Sequence, residues 1–315
     1  MKEFFQGFHI KLAQYISYNS KELVTNPQWF IMRRMGRFNA IRKWKAESFT
    51  SYKAPSTQQT ESSIFTDINI DNIDNVIANL EKYGLHQGLQ LPEYIVDEIL
   101  KFAYSTNCYA GRNPKLGFPV QQKDKAQAFC KQKILVGKYF NTALQCQAIN
   151  MLQNDLILQQ IAVKYLKTKP LHISNSLFWS FPNNSTFFEQ SKAAQVFHCD
   201  LDDYKFIKFF FYLTDVDINS GSHVYILGSH SQKKFLYQLL RGRATEPDLI
   251  NYYGKENIIS ITGPRGWGFA EDTFGYHKGS APITKPRLLL QVEFATKDYG
   301  MQHDLIEPRY LKSIL

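Results

Sequence analysis

Cysteine is scarce in this 315-residue chain, and the four present form no pattern. Cys108, Cys130, Cys146 and Cys199 show no CxxC spacing and no dense framework, which argues against a structural zinc and a disulfide scaffold and suits a reducing, cytoplasmic setting. Long hydrophobic runs are missing as well. No apolar stretch approaches the roughly 18 residues of a spanning helix, and the start of the chain shows no apolar core with a small-residue cleavage site, so no secretory leader is expected. No segment repeats at a fixed period. What remains is a chain of 44% hydrophobic residues, long enough for one substantial core.

The net charge of +9 is unevenly placed. Residues 1 to 60 carry ten Lys and Arg against three Glu, so the rest of the chain is close to neutral and no nucleic-acid partner is expected. Phe4, Phe5, Phe8, Leu12, Tyr15 and Ile16 stand at helical spacing, followed by a cationic cluster from Arg33 to Lys45. Such an element can touch an anionic membrane or attract an acidic or phosphate-bearing substrate. It can equally be the solvated face of a helical extension packed on the core or on a second copy in an oligomer. Residues 48 to 63, rich in Ser, Thr, Gln and Pro, read as a linker, giving residues 1 to 62 as a basic extension and 63 to 315 as one domain.

Within that domain helices come first. Residues 74 to 84 and 91 to 105 have amphipathic patterns, the first stopped by Gly84 and the second opened by Pro92, and a longer helix is expected over 149 to 167. After Pro170 the periodicity changes to that of strands, at 171–181, 194–198, 205–213, 222–227, 257–262, 267–270 and 288–295. Helical support over 63 to 170, strands over 171 to 300 and a tail over 301 to 315 make an α+β chain whose β half is a jelly roll.

The chemistry concentrates in QVFHCDLDD. On a strand, residues i and i+2 share a face, so His198 and Asp200 can reach one ion while Cys199 points away. Two imidazoles and a carboxylate form the facial triad that holds Fe(II) and leaves three positions open. The third ligand must come from another piece of backbone. His277 is the preferred candidate because Arg287 follows ten residues later, able to grip a carboxylate with parallel hydrogen bonds; His223 and His230 compete for the place.

Taken together, His198 with Asp200, Leu213 to Asp217, Ser220 with Gly221, Gly228 to His230, His277 and Arg287 resemble, in order and spacing, the phytanoyl-CoA dioxygenase family of Fe(II)/2-oxoglutarate oxygenases. The resemblance is strong over about a third of the chain. It departs at Leu227, where the family often has Pro, and at Lys278, where it often has a small residue.

The family likeness implies a double-stranded β-helix of cupin-like form, flanked by helices. It also implies Fe(II) on His198, Asp200 and His277, 2-oxoglutarate paired with Arg287, O₂ as oxidant, and ascorbate as a supporting reductant. The implied reaction oxidises a C–H bond of a small molecule with release of succinate and CO₂, and the retained Asp200 argues for hydroxylation over halogenation. Thr284, Ser280 and Gln195 are candidates to line the co-substrate site, and Trp179 and Asn175 to face the substrate. Loops 106–130 and 231–256 are expected to carry substrate specificity, and residues 107–125 and 241–257 are candidate lids. A cupin-type metal enzyme that needs no 2-oxoglutarate and a non-catalytic binding protein on the same fold stay open as alternatives.

Overall fold

In the computed structural model, residues 22–48, 63–65, 70–183, 185–239 and 244–315 are described. The phenylalanine-rich stripe of residues 4 to 16 and most of the linker lie outside them. In chain order the elements are α1 (Pro27–Met35), α2 (Asn39–Glu47), α3 (Ile70–Tyr83), β1 (Leu85–Gln90), α4 (Glu93–Ser105), β2 (Asn107–Ala110), β3 (Gly117–Pro119), α5 (Lys123–Cys130) and β4 (Val136–Lys138). Then come α6 (Thr142–Gln145), α7 (Gln147–Gln153), α8 (Leu156–Leu166), β5 (Leu171–Ser180), α9 (Phe187–Lys192), β6 (Phe206–Tyr212), β7 (His223–Ile226), α10 (Phe235–Leu239) and α11 (Glu246–Tyr253). Strands β8 (Ile258–Ile261), β9 (Trp267–Glu271), β10 (His277–Gly279) and β11 (Arg287–Ala295) complete the order.

The strands form two sheets. One runs β1-β9-β6-β11-β5-β4-β2-β3 and the other β10-β7-β8, with antiparallel pairing throughout. This is the α+β jelly roll that the strand pattern led us to expect. Alternation assigns the faces of the large sheet. Phe209 and Phe211 of β6, with Leu288, Leu290, Val292 and Phe294 of β11, pack on the helices, while Phe210, Tyr212 and Leu289 face the small sheet. At 1.5–3 kcal/mol for each fully buried side chain of this kind, order of magnitude, this doubly covered sheet anchors the fold.

The half expected to be helical also supplies four strands, β1 to β4, to the large sheet, and its helices depart from expectation at one point. The single helix expected over 149 to 167 is two, because the Asp155 carboxylate accepts hydrogen bonds from the Ile157 and Leu158 amides and caps a new start. Its other oxygen accepts from Ser63 Oγ and the Ile64 amide, which pins the end of the linker there. Residues 194–198, read as a strand, make only an isolated bridge, His198 to His277. The candidate lid over 107–125 holds β2, β3 and the start of α5, and residues 246–253 of the other are helical.

The basic extension is not detached. Trp29 and Met32 of α1 are buried with Ile173, Leu201, Phe206 and Phe274, and Arg42 of α2 is buried between the Asp203 carbonyl, at 2.8 Å, and the Asp272 carboxylate, at 3.8 Å. At the other end the tail laces the helical layer, through Lys312 on the Pro114 carbonyl and Thr142 on the Asp304 carboxylate. No helix among the described residues is long and apolar enough to cross a membrane.

Candidate metal centre

His198 and His277 meet where the segment before β6 crosses the small sheet: each donates its backbone amide to the other's carbonyl at 2.9 Å. Two residues on, the Asp200 amide bonds the Thr273 carbonyl, so the extended run brings Asp200 to the same side as His198. Each imidazole uses Nδ1 on a carbonyl, His198 on Val196 at 2.9 Å and His277 on Gly275 at 3.0 Å. That fixes both rings and turns both Nε2 atoms inward. A Cβ at Gly275 would run into the Tyr225 hydroxyl, so only glycine allows this approach. The Nε2 atoms lie 3.8 Å and 3.7 Å from the Asp200 oxygens, and one ligand atom from each residue falls within 4.8 Å of the others. Two imidazole lone pairs and an ionised oxygen converging in this way fit a divalent ion of the Fe(II) class.

The protonation states suit that role. Burial would raise the Asp200 carboxyl, but the Lys208 ammonium, 2.7 Å from Oδ2, and the two imidazoles hold it well below the usual carboxylate range. Burial, reinforced by His198, lowers His277 to about 4, so it is neutral at pH 7 and free to donate its lone pair.

The centre opens into a cavity of about 410 Å³. Ser174, Ser176, Phe178 and Ser180 of β5, with Gln291 and Glu293 of β11 and Lys208 of β6, lie side by side on one face of the large sheet and form one wall. Arg287 is buried at the start of β11, opposite Ser180 in register, and also lines the cavity. Its Nη2 donates to Ser180 Oγ at 3.2 Å and its Nη1 to the Gly221 carbonyl, while Nε has no partner. Gln195, on the segment that runs beside β10, is buried and lines the same cavity with both amide atoms unpartnered.

Other candidates lie elsewhere. Thr284 is exposed, with its hydroxyl 3.4 Å from the Asn219 carbonyl, and Ser280 is tied through its amide to Ser222; neither lines the cavity, because the 280–286 loop turns outward. Trp179 and Asn175 have the opposite parity on β5 to the serines. They face the helices, where the Trp179 indole donates to Tyr139 and the Asn175 amide to Gln153. Of the competing histidines, His230 reaches the Glu81 carbonyl at 3.3 Å and ties its loop to α3. His223 stacks behind His277 with ring centroids 5.5 Å apart, and its Nε2 lies 2.7 Å from the buried Glu271.

Sequence reasoning missed Lys208, Glu271, Glu293 and Ser180. The signal for the first three was an ionisable residue alone in an otherwise apolar strand, a costly placement unless it is partnered.

No protein-family model matches the chain, and no curated protein matches it. Among solved structures it resembles SnoN, a non-heme alpha-ketoglutarate-dependent epimerase of nogalamycin biosynthesis, at 14% identity and a TM-score of 0.50, over 72% of this chain and 84% of SnoN. It also resembles HygX from Streptomyces hygroscopicus, solved with nickel and 2-oxoglutarate, at 14% identity and a TM-score of 0.50, over 70% of this chain and 86% of HygX. At this identity the likeness is one of fold.

Proposed function

We propose that the protein is an Fe(II)- and 2-oxoglutarate-dependent dioxygenase of the phytanoyl-CoA dioxygenase type, acting in the cytoplasm on a C–H bond of a small polar molecule. The observation that carries this reading is the convergence of His198, Asp200 and His277 in a cavity that also holds a buried Arg287 with an unpartnered Nε. A non-catalytic binding protein would not need three ligands around open positions. A metal enzyme without a dicarboxylate co-substrate would not need a buried guanidinium there. The motif resemblance and the 2-oxoglutarate bound to HygX, on a similar fold, support the same reading.

Fe(II) held by these residues supplies the activation of O₂ that amino-acid side chains lack. The side chains do the rest. His198 and His277 present Nε2 atoms, Asp200 is kept ionised by Lys208, and Arg287 with Ser180 would grip the distal carboxylate of 2-oxoglutarate and so orient its keto acid end. The cavity walls would shield the substrate C–H as it becomes C–OH, or is otherwise oxidised; in the hydroxylation one oxygen atom of O₂ would go to the substrate and the other to the succinate formed, with CO₂, from 2-oxoglutarate.

The test is anaerobic titration of 2-oxoglutarate into Fe(II)-loaded protein. Loss of a charge-assisted pair costs about 1.5–3 kcal/mol, so Arg287→Ala should weaken 2-oxoglutarate about 10- to 150-fold while iron still binds. Unchanged 2-oxoglutarate affinity, or no succinate from wild-type protein with Fe(II), ascorbate and any substrate pool, would sink the proposal.

A further inference from the structure

Two cations on the cavity wall are left over once the proposed chemistry is assigned. Arg112 stands on the turn between β2 and β3, and Lys138 at the end of β4, paired with Tyr109 on one side and Phe178 on the other. Both line the cavity, and no ion pair engages either among the described residues. The turn is tight: Gly111 and Arg112 both have positive φ, 57° and 66°, closed by the Asn113 amide on the Ala110 carbonyl, while the Gly111 amide bonds the Val136 carbonyl. On this turn the backbone sets the direction in which the Arg112 side chain leaves the chain at the rim.

The remaining charges cancel. Lys208 is satisfied by Asp200 and Asp202 at 2.7 Å each and by Glu293 at 3.7 Å. Fe(II) and the 2-oxoglutarate dianion neutralise each other, and Asp200 with Asp202 matches Lys208 with Arg287. Burial pushes Glu293 up to about 8; even an ionised Glu293 would offset only one of the two spare cations. Nearby, Gln195 is only 7% exposed, with neither amide atom partnered, as expected of a wall that meets a polar ligand. Arg112 and Ala193 also line a second, neighbouring cavity of about 580 Å³, so Arg112 stands at the neck between the two.

We propose that Arg112 and Lys138 bind a carboxylate or phosphate group of the substrate at this neck, leaving the polar body of the molecule against the serine-lined wall beside the metal. The proposal rests on the dioxygenase reading in giving Arg287 to the co-substrate and in letting the charges of Fe(II) and 2-oxoglutarate cancel.

Matched pairs of small probes test it by calorimetry on anaerobic Fe(II)- and 2-oxoglutarate-loaded protein: glucose 6-phosphate against glucose, and gluconate against glucitol. At least one anion should bind tenfold or more tighter than its neutral partner, and the arm that shows this identifies the group. The preference should fall to within about twofold in Arg112→Gln and in Lys138→Gln, and persist in Lys115→Gln, an exposed change on the same turn. Equal binding within both pairs, displacement of 2-oxoglutarate by the anion, or a preference that survives both substitutions would overturn it. Iron and 2-oxoglutarate binding are read separately in each protein, and the pairs are repeated without them, so failure of the dioxygenase reading and failure of the anion site give different results.

Discussion

Asp200 and His277 approach within 3.7 Å, yet the buried groups behind them differ in kind. Behind Asp200 lies a charged cluster: Lys208, raised well above its ordinary value because Asp200, Asp202 and Glu293 outweigh its burial. Behind His277 lies a quieter pair. Glu271 is pushed up to about 8 by burial, His223 well below its ordinary value by burial and by Arg287, and the two lie 2.7 Å apart. The contrast follows from what each ligand must offer a cation. A carboxylate contributes only when ionised, so it is backed by a fixed positive charge; an imidazole contributes only when neutral, so it is backed by groups that burial keeps uncharged.

The charged side should give the largest effects. Asp200→Ala removes a ligand outright, so iron affinity should fall by more than the roughly 100-fold at the top of the range for supporting residues. Lys208 keeps Asp202 and Glu293, so the metal-free protein should melt close to wild type. A metal-free melting point far below wild type would show that Asp200 serves the fold as much as the ion. Next in size, Lys208→Met leaves buried carboxylates without their cation. Breaking such a cluster costs about 3–5 kcal/mol, and iron affinity should fall about 10- to 100-fold, read by chemical denaturation and metal titration. Wild-type stability and affinity in this variant would erase the contrast.

The asymmetry explains what could be read from the sequence. His198 and Asp200 were visible because an i, i+2 pair on an extended segment has one geometric consequence, and His277 because Arg287 follows it. The jelly roll was visible in the strand periodicity after Pro170. Which groups support the ligands was not legible, because Lys208, Glu271 and Glu293 lie in different strands, and only the sheet order β9-β6-β11 makes them neighbours. Thr284 and Ser280 were placed by nearness in sequence to Arg287, whereas their loop is drawn outward onto Asn219. On β5 the shared parity of Ser174, Ser176 and Ser180 marked the cavity face, and Trp179 and Asn175 lie on the other. An apolar strand covered on both sides does not say which face meets the site.

The smallest effect on the ion is expected on the uncharged side. Glu271→Gln keeps the shape and replaces a carboxyl held neutral by a group that is always neutral, so iron affinity at pH 7 should change less than about tenfold. The pH dependence is more revealing. A carboxyl whose value rises from 4.5 in the unfolded chain to about 8 in the folded one contributes stability that is complete below pH 4.5 and lost as pH rises toward 8. The metal-free wild type should therefore lose stability relative to Glu271→Gln over that span, on the order of 4 kcal/mol, followed by denaturant unfolding at stepped pH. A difference that stays flat from pH 5 to 8 would mean that Glu271 is ionised in the folded protein, and that both sides of the metal centre are built on fixed charge after all.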